Sequence, residues 1–173
     1  MSRIQTLDAN RQTQAIFQEI EGAFGMVPNL FRAYAHHPPL LEANWNKVKR
    51  VMMEGRVPRK AKESIALLVS KDNGCDYCVA AHTGALRSIG VTPEEIAVIE
   101  SDLEQAAFTA KEKALIRFAR KVNLQPLQIT DEEFAELRRT GADEGEIVEA
   151  LGVMELFTSF NKFLDSLQID IDF

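Results

Sequence analysis

Apolar residues recur at three- and four-residue steps along most of this 173-residue chain, a spacing that predicts helix after helix. Arg11 to Phe24 carries Ala15, Ile16, Ile20 and Phe24 at helical spacing before Gly25 and the loop around Pro28 break the run. A short helix is expected over Leu30 to Ala35. Pro38 and Pro39 suit a first turn, and Leu40, Leu41, Trp45, Val48 and Met52 then form an apolar stripe that ends at Gly55. Pro58 opens the next helix, expected to stop at Gly74. The helix after it carries Cys78 and His82 and should end near Gly90.

From there the polar positions set the boundaries. Thr92, Thr109, Thr130 and Asp143 each have a glutamate three residues later, namely Glu95, Glu112, Glu133 and Glu146, so four capping boxes predict four helix starts. The last should begin a long buried helix, with Ile147, Leu151, Met154, Phe157 and Phe160 on one stripe. No convincing strand precedes the final SLQIDIDF, which alternates apolar and acidic residues and reads as an extended tail or a strand added to a neighbour. The pattern therefore predicts an all-α fold, a single helical-bundle domain over residues 1–173. AKES at Ala61 echoes AKEK at Ala110, and GVTPEEI at Gly90 echoes GADEGEI at Gly141. An internally duplicated helical hairpin would produce this echo, and so would the chance likeness of capped amphipathic helices.

A chain of this length buries roughly two-thirds of its unfolded surface, so its fold needs neither a disulfide nor a metal. The net charge of −6, with Lys and Arg interspersed among Asp and Glu, gives no basic footprint for nucleic acid. The first residues lack the apolar core of a secretory signal, and the aliphatic run Ile65 to Val69 is far short of the roughly 20 residues that span a bilayer. The expectation is a soluble, cytoplasmic protein with no membrane partner. In that reducing compartment a close cysteine pair is catalytic or metal-binding rather than a permanent bridge.

The chemistry concentrates in Glu63 to His82, ESIALLVSKDNGCDYCVAAH, which holds the chain's two cysteines, Cys75 and Cys78. Haem attachment would need His directly after the second Cys, where Val79 stands, and two cysteines cannot ligate a four-cysteine cluster. A thioredoxin-like site would lie between strands. Zinc would need two more ligands from His36, His37 and His82, the three histidines of the chain. Dithiol chemistry has the better physical basis: Gly74 ends one helix and the cysteines begin the next, among unpaired N–H groups that lower a thiol's pKa. His82 lies one turn from Cys78 and can serve as its base, with Glu63 behind the imidazole to orient it. Taken singly, Glu63 also reads as a helix carboxylate paired with Arg59 or Lys60, and His82 as a core histidine bonded to a carbonyl.

Glu63, Cys75, Cys78 and His82, at spacings of twelve, three and four, resemble the alkylhydroperoxidase D core of the carboxymuconolactone decarboxylase superfamily. FGMVPNLFRAYAHHPPLL and SFNKFLDSLQI look like its uncharacterised peroxidase-related subgroup, and the resemblance covers about residues 24–168. It implies an all-helical homo-oligomer, trimeric or hexameric, that reduces hydrogen peroxide or organic hydroperoxides without metal or flavin. By that resemblance Glu63 and His82 relay a proton to Cys78, which attacks the peroxide, Cys75 resolves, and an external dithiol, protein or small thiol, resets the pair. The best-characterised relatives have His immediately before the second Cys; this chain has Tyr77, a candidate accessory residue. Two rivals stand beside this reading. A lactone decarboxylase needs no cysteine pair, and a dithiol redox sensor or electron donor needs no peroxide turnover.

Overall fold

Short-range signals account for most of the helix boundaries. The computed structural model describes residues 2–173. Helix α1 (Gln14–Phe24) ends at Gly25, and α2 (Asn29–Tyr34) follows Pro28. The start of α3 (Pro38–Val48) has Pro38 and Pro39 in its first turn, and His37 Nδ1 accepts the Leu40 N–H at 3.2 Å. Helix α4 (Arg59–Asn73) ends at Gly74, whose φ of 78° is the left-handed conformation glycine adopts without strain. Then come α5 (Asp76–Ser88), α6 (Pro93–Ser101), α7 (Ala110–Leu124), α8 (Asp131–Arg139) and α9 (Glu144–Leu167). No strand occurs among the described residues, so the fold is all-α as the pattern predicts. SLQIDIDF forms no strand: its residues 169–173 lie extended beside α2 and α5, with Ile169 buried.

All four predicted starts are helix N-termini. At Thr109 and Asp143 the box is reciprocal, while at Thr92 the hydroxyl accepts the Glu95 N–H but the Glu95 carboxylate leaves to pair with Lys60 at 2.5 Å. A nonlocal ion pair has taken the second half of that box.

The stripe from Leu40 to Met52 is not one α-helix. After Val48 the chain widens into a π-helical turn, Lys49–Met53. Beneath it lies Lys62, 2% exposed, whose ammonium donates to the Val51 carbonyl at 2.8 Å and to the Glu54 carbonyl, and pairs with Glu149 at 2.5 Å. The buried cation satisfies carbonyls at the end of the widened turn. Gly55 completes the corner: its φ is 99°, and a Cβ there would enter the Glu149 carboxylate, which also accepts the Arg56 and Val57 N–H groups.

The core is built around α4, which packs against α5, α7 and α9. Ile65 to Val69 are all 0% exposed, and burial from every side explains why this stretch is continuously apolar instead of striped. Phe31 packs edge-on against Trp45 and Phe160, joining α2, α3 and α9. The helices α4 and α5 thereby hold the Glu63 to His82 segment inside the bundle.

Candidate active site

Cys75 is the N-cap of α5 and Cys78 lies in its first turn, so the break at Gly74 sets both sulfurs at one helix start. Both thiols are free and buried, at 0% and 3% exposure. They hydrogen-bond to each other, and the consequences are opposite. The bond from Cys78 and the Cys78 N–H hold the Cys75 thiol below its ordinary pKa, against burial and the Asp165 carboxylate. Cys78, donating that bond and buried, is pushed far up. The helix start favours a thiolate at Cys75, not equally at both sulfurs.

One turn further along α5, His82 Nδ1 lies 2.7 Å from Glu63 Oε2 of α4, with both side chains almost wholly buried. Glu63 accepts from Nδ1–H, which leaves Nε2 as the basic nitrogen of the neutral ring. Phe157 of α9 meets the imidazole edge-to-face, with ring centroids 4.2 Å apart, so the ring is fixed from two directions. Arg59 approaches the other Glu63 oxygen at 3.4 Å. The carboxylate is therefore partnered by both the residue read as its relay partner and the arginine read as its surface partner. No hydrogen bond joins His82 to the Cys78 sulfur.

Cys78, His82, Glu63 and Tyr77 line one cavity of about 740 Å³, whose walls include Phe31, Met52, Phe157, Phe160 and Phe173. Cys75 lies behind this surface and does not line it. The cavity thus opens onto Cys78, while the resting charge favours the sulfur behind it. Tyr77 donates to Asp172 at 2.8 Å and accepts from the Leu30 N–H at 3.3 Å, so its hydroxyl is engaged away from both thiols. Burial raises its pKa, and it stays a neutral phenol.

His36 and His37 have partners other than a metal: His36 Nε2 lies 2.7 Å from the Gln5 carbonyl and His37 caps the start of α3. No group of three His, Cys, Asp or Glu with metal-holding geometry occurs among the described residues.

Two residues near the sulfur escape a reading of the sequence. Asn161 and Ser70, 1% and 0% exposed, both act on Cys78 in the direction of its ionised form. The available signal was a lone amide between Phe157, Phe160 and Leu164 on the buried stripe of α9, and it points to no particular partner.

Residues 38–121 match the carboxymuconolactone decarboxylase family. Over 84 residues the chain is 31% identical to an alkyl hydroperoxide reductase of Mycobacterium tuberculosis; the match takes in 49% of this chain and 24% of that protein, so the chain spans about a quarter of its length. The crystal structure of an alkylhydroperoxidase AhpD core, an uncharacterised peroxidase-related protein from Ralstonia eutropha JMP134, superposes with a TM-score of 0.88 at 22% identity, covering 99% of this chain and 92% of that one. The debrominase Bmp8 bound to 2,3,4-tribromopyrrole superposes at 0.84 with 20% identity, covering 99% and 94%. The fold is alkylhydroperoxidase D-like. Among the described residues no helix is long and apolar enough to cross a membrane.

Proposed function

We propose that this carboxymuconolactone decarboxylase family domain is a thiol peroxidase in which Cys78 attacks the O–O bond of an organic hydroperoxide or hydrogen peroxide. The observation that carries the reading is that Cys78 and the Glu63–His82 pair open onto the same cavity. The cavity's apolar, aromatic walls favour an organic body on the substrate, since about 740 Å³ is the size of a site for a drug-sized molecule rather than for hydrogen peroxide alone.

In the first step His82 Nε2 takes up the proton of Cys78. The Cys78 thiolate takes the distal peroxide oxygen, the S–O bond forms as O–O breaks, and the alkoxide leaves as an alcohol after protonation through His82. The space between imidazole and sulfur is where the peroxide would sit, and Glu63 stabilises the charged imidazole. The Cys75 thiol then condenses with the Cys78 sulfenic acid, releasing water and forming a disulfide. An external dithiol returns both thiols and leaves oxidised.

The test is peroxide consumption by metal-free protein supplied with a dithiol. Turnover of an alkyl hydroperoxide supports the reading; a Cys75–Cys78 disulfide that cycles with dithiols while every peroxide remains untouched overturns it in favour of a redox sensor. The aromatic cavity also justifies a bromopyrrole in the assay, because the debrominase shares the fold. Bromide release without peroxide turnover would replace the peroxidase by a reductive dehalogenase.

A further inference from the structure

We propose that Arg59 and Arg87 form an anion-binding mouth on the cavity, so that the preferred substrate is an organic hydroperoxide whose apolar body ends in a carboxylate.

The hairpin of α4 and α5 sets the two arginines together. Gly74 turns the chain back on itself, so the helices run antiparallel, and the contact of Glu63 with His82 fixes their register. Arg59 lies one turn from Glu63 toward the start of α4, and Arg87 lies five residues from His82 toward the end of α5. At about 1.5 Å of rise per residue, both stand about 6 to 8 Å beyond the Glu63–His82 pair, at the open end of the hairpin. Both are exposed, and both line the cavity that Cys78 and His82 line.

Their pairing leaves positive charge to spare. Among the described residues eight of the chain's eleven arginines form ion pairs, but Arg87 has neither a carboxylate nor any other acceptor. Arg59 engages through Nε alone, 3.4 Å from a Glu63 oxygen, which leaves its terminal nitrogens without an acceptor. Glu63 is the single carboxylate lining the cavity, and its other oxygen is taken by His82. Two guanidinium groups against one engaged carboxylate give the cavity a positive mouth, in a chain whose net charge is −6. A guanidinium holds a carboxylate through paired N–H groups, and a cation beside low-dielectric walls draws anions toward it.

The other walls fix what joins the anion to the reacting group. Ala81 and Ala85 of α5 and Phe157 and Phe160 of α9 line the same cavity, so the middle of the ligand needs no polar group. A hydroperoxide held between Cys78 and His82 would extend an apolar body along the hairpin and set its carboxylate between the arginines; a para-substituted ring spans such a gap. This use of the mouth rests on the thiol-peroxidase reading.

The experiment has one arm without peroxide and one with it. In the first, isothermal titration calorimetry compares para-isopropylbenzoate with para-isopropylbenzamide, a neutral ligand of like shape. The benzoate should bind about tenfold more tightly, the scale of one charge-assisted hydrogen bond. That preference should fall to near unity in Arg87→Gln and Arg59→Gln, and reverse in Arg87→Glu. In about 1 M salt, where screening sets in beyond about 3 Å, it should shrink in the parent. In the second arm, kcat/KM for the para-carboxy derivative of cumene hydroperoxide should exceed that for cumene hydroperoxide by a similar factor, and Arg87→Gln should lower the ratio mainly through KM. Far-UV circular dichroism checks folding. Equal affinities for benzoate and benzamide in the parent, or a preference unchanged in the arginine variants, overturn the inference. A smaller assembly of Arg87→Gln in sedimentation, with the preference intact, would give that arginine to a contact between copies and overturn it also. A parent inert to both peroxides, with the benzoate preference behaving as stated, would overturn the peroxidase reading and leave the anion site standing.

Discussion

Tyr77 stands between the two cysteines in sequence but gives its hydroxyl proton to Asp172, 95 residues away, at 2.8 Å. The other Asp172 oxygen accepts the Asn29 N–H at 2.7 Å, and Phe173 then packs edge-on against Tyr77 with centroids 5.0 Å apart, at the cavity wall. The phenol is thus a latch for residues 169–173. Tyr77→Phe should lower stability by about 1 to 3 kcal/mol, because the Leu30 N–H and Asp172 each lose a buried partner. Peroxide attack should change far less than in His82→Ala. An equal rate loss in the two variants, measured by stopped flow, would put the phenol in the proton path instead.

The cavity reaches Cys78 alone of the two thiols, so the cysteines should fail differently. Cys78→Ser should abolish peroxide consumption. Cys75→Ser should complete one turnover and leave a sulfenic acid at Cys78 that dimedone traps, read by mass spectrometry. The reverse pattern would assign attack to Cys75.

Glu63 and His82 share one proton, and their variants should behave as one unit. Glu63→Gln and His82→Ala should each slow peroxide reduction by roughly ten- to a thousandfold, with the double variant little worse than the slower single. Additive losses, or no loss for Glu63→Gln, would exclude a relay.

The corner around Lys62 carries a stability prediction separate from the chemistry. Lys62→Met leaves Glu149 and the Val51 and Glu54 carbonyls without the ammonium between them. Breaking such a buried pair should cost about 3 to 5 kcal/mol in chemical denaturation. A loss under about 1 kcal/mol would mean that the π-helical turn does not depend on it.

Glu146 gives a pH dependence whose sign is fixed. Its bond from Lys111, at 2.6 Å, and the Asp143 N–H hold its carboxyl below the ordinary carboxylate range. The resulting stability is fully present above the unfolded value of about 4.3 and is lost as pH falls through the lowered folded value. Glu146→Gln should flatten that part of the acid limb of a stability-versus-pH curve; an unchanged limb would remove Glu146 from it.

The sequence by itself determined where helices begin and end, because Gly74, Pro38, Thr109 and Asp143 act within one turn of themselves through backbone conformation and local hydrogen bonds. It also placed Cys75, Cys78 and His82 on adjoining turns, since helical geometry fixes their spacing. Glu63 was legible only as a candidate: the imidazole at 2.7 Å comes from packing α4 on α5. What tertiary structure decided is of that second kind. Lys62 is buried because packing brings Glu149 to it, and Glu95 left its box for Lys60. Asn161 is an ordinary polar residue in α9 until Ser70, 91 residues earlier, meets its amide. The unequal thiols have the same origin, because burial, access and the donors around each sulfur depend on which helices close over it. Local rules act through neighbouring backbone groups, whereas desolvation and partner choice depend on distant segments that no spacing encodes.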